Sequence, residues 1–365
     1  MKYILTNVPS FIINYDYEYK YLKEPESSMN EVQLVGGNSG NCMFWESTKK
    51  IIENQTSHKL LHWREFNKNK DKFKDKIESV AFVLANNINP SSCSQLGVFY
   101  HVIKDLNCKK YLFSIGAQNE SLDLVDFNEK ELNIYNKFFP LFEYVYLRGK
   151  YTYDLLKHNN IPSNNVKQVG CPSILLKPIY TDNIKGKFKK LVNKHEDEIK
   201  VGINFPQKNQ HEKLYESFKS IMSNKDVYTL AVDGVGWYNF INHGKPSGEE
   251  VNDKFLKNRE NFIFSNNVFN AMNFFKNKTD FMFGTRIHGT ILGLCAGIPS
   301  MCIAIDSRTY ELCEQMNIPY INCVDEPIVF SNKNEIIEIF KNNFDVSKLD
   351  LLKKTIDTNK KLYRI

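Results

Sequence analysis

A chain of 365 residues is longer than one hydrophobic core usually serves and suits two α/β units. Its 42% hydrophobic and 25% charged residues are those of a globular protein, and no run reaches the length of a signal peptide's apolar core or the roughly 20 apolar residues of a membrane span. The net charge of +6 is spread without a block of like charges, which excludes a nucleic-acid arm; it reads first as general solubility, with an anionic ligand or an approach to a membrane surface as the functional alternative.

In chain order, short apolar runs at Val32–Gly36, Lys59–Trp63, Val80–Ala85, Tyr111–Ile115, Tyr144–Leu147 and Val166–Gly170 predict strands. Most are continuous rather than alternating, the mark of strands covered on both faces. Helices are predicted between them at Asn41–Glu53, Leu96–Asn107, Glu129–Phe139 and Lys150–Asn159. Residues 1–176 therefore read as one Rossmann-like unit. The alternating Tyr15, Tyr17, Tyr19 and Tyr21 read as one face of a strand or hairpin, with a sugar-stacking platform as the less favoured alternative.

Residues 177–198, rich in Lys and polar groups, are expected to be an exposed linker. A second unit follows over 199–334. Its strands are predicted at Lys200–Phe205, Val227–Val232, Phe262–Phe264, Asp280–Phe283, Ser300–Ile305 and Tyr320–Cys323, and its helices at Glu212–Ser223, Val268–Lys276, Thr290–Gly297 and Arg308–Met316. Residues 335–365 read as C-terminal helices, Glu335–Asn342 and Ser347–Tyr363. The expected fold is α/β, with two doubly wound domains facing a central cleft onto which the carboxyl ends of their strands open.

Eight cysteines, none in a C-x-x-C pair, read as reduced side chains in a cytoplasmic protein rather than a disulfide framework. Cys295 and Cys302 sit among apolar neighbours and are expected to be buried.

The most informative stretch is the turn Gly284-Thr285-Arg286-Ile287-His288-Gly289, between an apolar strand and a helix that ends at Gly297 before Pro299. A helix start offers unpaired N–H groups and the positive end of a dipole. Arg286 adds a planar cation that fits carboxylate or phosphate, and His288 can donate a proton or change charge near neutral pH. An anion-binding site is expected there. Gly289 and Gly293 allow close approach of other backbone. Taken singly, His288 reads more readily as a satisfied core residue and Arg286 as an ion-pair member; their spacing at a glycine-flanked turn favours function.

Several separated motifs accompany this turn: Gly37-Asn38-Ser39-Gly40-Asn41, Ser114-Ile115-Gly116-Ala117-Gln118, Leu147-Arg148-Gly149-Lys150-Tyr151-Thr152-Tyr153, Gly170-Cys171-Pro172-Ser173, Gly297-Ile298-Pro299 and Asp306-Ser307-Arg308. With it they resemble the polysaccharide pyruvyl transferase family over most of the chain. The resemblance implies a GT-B-like fold, phosphoenolpyruvate as donor, and a saccharide or lipid-linked oligosaccharide as acceptor. The product would be a pyruvate ketal bridging two hydroxyls of one sugar, with release of phosphate. It implies Arg286 and His288 as donor-binding and catalytic residues. Gly289, Thr290, Arg308 and Arg148 are further donor-side candidates. Asn38, Asn41, Ser114, Gln118 and Asp233 are acceptor-side candidates, with Asp233 also a candidate general base.

Each has a bland alternative: Asn41 as a helix cap, Gln118 as a loop-ordering group, Arg148 as a structural partner, Asp306 and Arg308 as an ion pair. No metal and no cofactor beyond the co-substrate is expected. Two other readings share the fold: a glycosyltransferase using a nucleotide-sugar donor, and a non-catalytic glycan-binding protein. The oligomeric state has no sequence signature here.

Overall fold

A computed structural model of the chain describes residues 2–13, 40–89, 93–205, 211–231, 258–263 and 267–363. The expected strand Val32–Gly36, the alternating tyrosines, Asn38 and Asp233 lie outside the described residues.

Two six-stranded parallel sheets organise the chain. The first comprises β1 (Tyr3–Thr6), β2 (Lys59–His62), β3 (Ile77–Val83), β4 (Lys109–Ile115), β5 (Tyr144–Leu147) and β6 (Val166–Gln168), in the order β2-β1-β3-β4-β5-β6. The second comprises β7 (Val201–Asn204), β8 (Val227–Leu230), β9 (Phe262–Ile263), β10 (Phe281–Gly284), β11 (Ser300–Ala304) and β12 (Tyr320–Asn322), in the order β12-β11-β10-β7-β8-β9. This is the doubly wound α/β architecture expected from the alternation of apolar runs and helices. Every residue of β7, β8, β10 and β11 is buried, which is why their sequences lack a polar face.

In each sheet the strand order reverses beside the first strand of the unit, between β1 and β3 and between β7 and β10. Ligands of such sheets bind outside the carboxyl ends of strands at that reversal. At the first, the Asn7 amide and the Val83 backbone exchange two hydrogen bonds, of 2.6 and 2.7 Å. The second holds the turn after Gly284.

Two departures from expectation matter. Residues 177–198 are not a bare exposed linker: Thr181–Val192 is a helix whose Ile184 and Leu191 are buried, and it packs beside helix Ser347–Leu362. The N-terminal residues, read only for the absence of a leader, form β1, an inner strand of the first sheet between β2 and β3.

Two structures tie the lobes together. Helix Ser307–Met316 belongs to the second sheet but lies along the first lobe. Asn119 N–H donates to Ser307 Oγ at 2.8 Å and Ser307 N–H to the Asn119 carbonyl at 3.1 Å. Gln315 donates to the Gln168 carbonyl at 3.0 Å. The C-terminal helix Ser347–Leu362 then crosses back. Asn359 Nδ2 donates to the Val169 carbonyl at 2.6 Å, Tyr146 O–H to the Leu362 carbonyl at 3.1 Å, and the Tyr363 ring packs on Phe113 and Tyr146.

Two glycines give opposite expectations for stability. A Cβ at Gly284 would lie 1.7 Å from the Asn204 carbonyl oxygen, so Gly284→Ala should leave no folded protein in urea titrations. Gly186, inside the helix Thr181–Val192, has nothing within 4 Å of a Cβ, so Gly186→Ala should raise stability by about 0.5–1 kcal/mol. A well-folded Gly284→Ala protein would contradict the packing of β10 on β7.

Candidate active site

The site starts where β7 and β10 end. Gly284 stands opposite Asn204 in register. The Asn204 carbonyl accepts the Thr285 N–H at 3.1 Å, and its side-chain Oδ1 accepts the Arg286 N–H at 2.6 Å. Arg286 Nε donates to the Phe205 carbonyl at 3.3 Å. The end of one strand therefore holds both the backbone and the side chain of Arg286. A Cβ at Gly289 would lie 2.6 Å from Asn204 Nδ2, so the missing side chain lets the new helix rest on Asn204.

Arg286 is the extended cap residue of helix Ile287–Cys295 and makes no side-chain cap bond, so the helix start keeps its positive character. The helix begins three residues before the expected Thr290, because Arg286 is already fixed as its cap. His288 and Gly289 accordingly sit in the first helical turn rather than in a preceding loop. The Thr290 N–H donates to the Arg286 carbonyl at 3.1 Å and is spent inside the helix. The Thr290 side-chain hydroxyl is buried and has no hydrogen-bond partner among the described residues.

His288 is half-buried, with Nε2 3.6 Å from Cys171 Sγ and its ring 5.6 Å from that of Phe44. Burial, and then the charges of Arg148 and Arg308, push its pKa down to about 3. The ring is neutral at physiological pH.

Arg148 is fully buried. Its Nε donates to the Ser114 carbonyl at 2.9 Å and to Ser114 Oγ at 3.3 Å, and its Nη1 donates to Asn86 Oδ1. Two local features make room for it. Ser114 adopts the left-handed conformation (φ 59°) where the register of β4 against β5 shifts, and this bulge re-aims its carbonyl. Gly116 lacks the Cβ that would lie 2.6 Å from Arg148 Cδ. Nη2 of Arg148 has no hydrogen-bond partner among the described residues. Burial lowers its proton affinity, yet a guanidinium stays charged in a protein.

Arg308 pairs with Asp306 at 3.1 Å, the expected ion pair, and its buried Nε is likewise unpartnered among the described residues. Asp306 also caps helix Ser307–Met316 through Thr309 and accepts Gln118 Nε2 at 3.2 Å. Gln118 Oε1 accepts Asn86 Nδ2 at 2.7 Å. A continuous chain Arg148–Asn86–Gln118–Asp306–Arg308 thus joins the two lobes through hydrogen bonds and an ion pair.

The structure brings together Arg286, His288, Gly289, Arg148 and Arg308 from the donor-side expectation. Ser114 and Gln118, expected on the acceptor side, contact the arginine network: Ser114 directly at Arg148, Gln118 through Asn86 and Asp306. Both ends of the Gln118 amide are engaged, and Ser114 turns its carbonyl and hydroxyl to Arg148. Asn41 is the first residue of helix Asn41–Glu53, capped by Gly40 rather than acting as cap; the same helix carries Phe44 to His288.

Four residues escape sequence reasoning as site members: Asn204, Asn86, Cys171 and Glu311. Glu311 is buried in helix Ser307–Met316. Its carboxylate accepts the Thr152 N–H at 2.9 Å and the Thr152 O–H at 2.7 Å, and Thr152 Oγ1 accepts the Ala117 N–H at 2.9 Å. Desolvation outweighs these bonds and the attraction of Arg148, and lifts its pKa to about 7.

Residues 38–307 match the family model for polysaccharide pyruvyl transferase. No curated protein sequence matches the chain. Among solved structures, similarity is found to a functionally uncharacterised Klebsiella pneumoniae protein, KP1_0663, at 12% identity and TM-score 0.45, covering 88% of this chain and 93% of that one. The Anabaena protein Alr3699/HepE in complex with UDP and glucose is similar at 9% identity and TM-score 0.46, covering 99% and 95%. The S. aureus MnaA–UDP structure is similar at 13% identity and TM-score 0.43, covering 99% and 92%.

Glu311 makes a signed pH prediction. Its folded pKa of about 7 lies above its ordinary value of 4.5, so between these values the folded state binds the extra proton. Its contribution to stability is present below about pH 4.5 and is lost as pH rises to about 7. Urea titrations over this range should show Glu311→Gln gaining stability relative to wild type as pH rises, by up to a few kcal/mol. The difference isolates Glu311 from His288, whose depressed pKa acts in the opposite sense. A flat or falling difference would contradict the assignment.

Proposed function

The chain belongs to the polysaccharide pyruvyl transferase family and is a transferase; we propose that it moves the pyruvyl group of phosphoenolpyruvate onto a saccharide, closing a ketal on two hydroxyls of one sugar and releasing phosphate. The observation that carries this reading is the convergence of Arg148 and Arg308, each with a buried N–H that has no partner among the described residues, on the neutral His288 two residues after Arg286 and the helix start. A small ligand with two anionic groups answers that arrangement: each unpartnered buried donor is costly until an anion fills it.

In the proposed reaction the phosphate rests against Arg286 and the start of helix Ile287–Cys295, and the carboxylate takes the free donors of Arg148 and Arg308. A sugar hydroxyl adds through oxygen to C2 while C3 gains a proton. The phosphate–C2 bond then breaks, inorganic phosphate leaves, and a second hydroxyl of the same sugar bonds to C2, losing its proton. Arg286 steadies the charge that gathers on the departing phosphate. His288 starts neutral because it is buried and, secondly, because Arg148 and Arg308 stand near it; an arriving anion offsets those two charges and raises its basicity, which suits it to carry a proton during the step. The donor is an intracellular metabolite and all eight cysteines are free, so we place the reaction in the cytoplasm, with a lipid-linked acceptor reached from the membrane surface.

Incubation with phosphoenolpyruvate and the cognate glycan should release phosphate and yield a carboxylate-bearing ketal detectable by NMR. Arg286→Ala and His288→Ala should each lower kcat/KM by roughly a hundredfold or more while circular dichroism is unchanged. In thermal-shift titrations phosphoenolpyruvate should raise Tm and UDP-sugars should not. Stabilisation by nucleotide sugars alone would favour the glycosyltransferase reading instead.

A further inference from the structure

Cys171 stands at the first-lobe side of His288. It follows Gly170, whose left-handed backbone (φ 84°) turns the chain after β6. Met316 fixes this turn from the second lobe: a Cβ on Gly170 would lie 2.5 Å from Met316 Cγ, and the Cys171 N–H donates to Met316 Sδ at 3.3 Å. The thiol has little freedom to be elsewhere. Cys171 and Ser173 are both fully buried.

Two contacts define the sulfur. Ser173 O–H donates to Cys171 Sγ at 3.1 Å, and Sγ lies 3.6 Å from His288 Nε2. The single hydroxyl proton of Ser173 therefore goes to the sulfur, which acts as acceptor on that side. With that side of the sulfur taken by a donor, the thiol's own proton is available to the imidazole nitrogen. A neutral imidazole has one N–H and one lone pair, and the partner of one nitrogen decides the state of the other. His288 is held neutral by burial and by Arg148 and Arg308.

We infer that Cys171 is a positioning residue whose S–H donates to Nε2 of His288, so that the ring keeps its proton on Nδ1 and offers Nδ1–H as its donor to the anionic substrate. Ser173 sets the direction of the thiol proton, and Cys171 passes that choice to the imidazole. This rests on the role of His288 proposed above. It also ties the two lobes together, because the tautomer of a second-lobe residue is set by a first-lobe turn.

The test is the ring protonation pattern of His288, read by NMR on protein carrying ¹⁵N-histidine at about pH 7, with the signal assigned by its loss in His288→Gln. The expected wild-type pattern is a protonated Nδ1 and an unprotonated Nε2. Cys171→Ser should keep it. Cys171→Ala should mix the tautomers, and Ser173→Ala should shift population toward Nε2–H. In turnover assays Cys171→Ser should restore most of the activity that Cys171→Ala loses. The loss should be about tenfold or more in kcat, with KM changed less than about twofold. A wild-type proton on Nε2, or an unchanged pattern in Cys171→Ala, would overturn the inference. The NMR measurement needs no substrate. A protein with the expected tautomer but no pyruvyl transfer would therefore refute the proposed reaction and leave the Cys171 assignment standing.

Discussion

The pairing of Asn204 with the segment after Gly284 is the constraint from which the site is laid out. A strand end normally releases its chain to solvent. Here Asn204 keeps the chain one residue longer, taking the Thr285 N–H with its backbone and the Arg286 N–H with its side chain. Glycines at 284 and 289 are required because Asn204 occupies the space their side chains would need. The helix must then begin at Ile287, and its first turn carries His288 toward the first lobe. The reversal of strand order between β7 and β10 gives this turn an open side, since the connections on either side of it depart in opposite directions.

Around that turn the described residues set Arg148 and Arg308 close to His288. Asp306 answers Arg308, but Glu311 is driven toward its neutral form by burial, and Arg148 is held by carbonyl, hydroxyl and amide oxygens. Such a cluster is costly without a ligand, and much of the surrounding architecture resists its collapse. The Ser114 bulge, the bare Gly116 and the relay of Asn86 and Gln118 fix the guanidinium positions in advance. Fixed dipoles and charges need no rearrangement when an anion arrives, and electrostatic catalysis depends on that condition.

Much of this was legible in the sequence. Tyr144–Leu147 and Asn41–Glu53 match the predicted elements, and the apolar run ending in Gly-Thr-Arg-Ile-His-Gly marked the second-lobe turn, because a strand, a cation and a helix start leave local traces. What escaped notice was non-local. Asn204 at the end of Val-Gly-Ile-Asn looks like any polar residue leaving a strand; only its register opposite Gly284 gives it a role. Glu311 looks like one more acidic residue on a helix, until that helix is seen to be pressed against Thr152 of the other lobe. Cys171 stood in the sequence only as one residue of the Gly-Cys-Pro-Ser motif, and its meaning comes from a histidine 117 residues away. The Lys-rich segment 177–198 misled for a compositional reason: its lysines are the outer face of a helix, while Ile184 and Leu191, seven apart, fall on the same inner face.

The returning C-terminal helix bears on how the protein is made. Tyr363 and Leu362 meet Tyr146 on β5, and Asn359 binds the carbonyl of Val169, so the surface of the first sheet is completed by residues translated 190 to more than 216 positions later. During synthesis the first lobe emerges early with Phe113 and Tyr146 uncovered. It must wait in that state while the second lobe is threaded out and folds. Nascent chains stalled before residue 347 would therefore present an aromatic surface to chaperones, and that surface closes only once the final helix is free to dock.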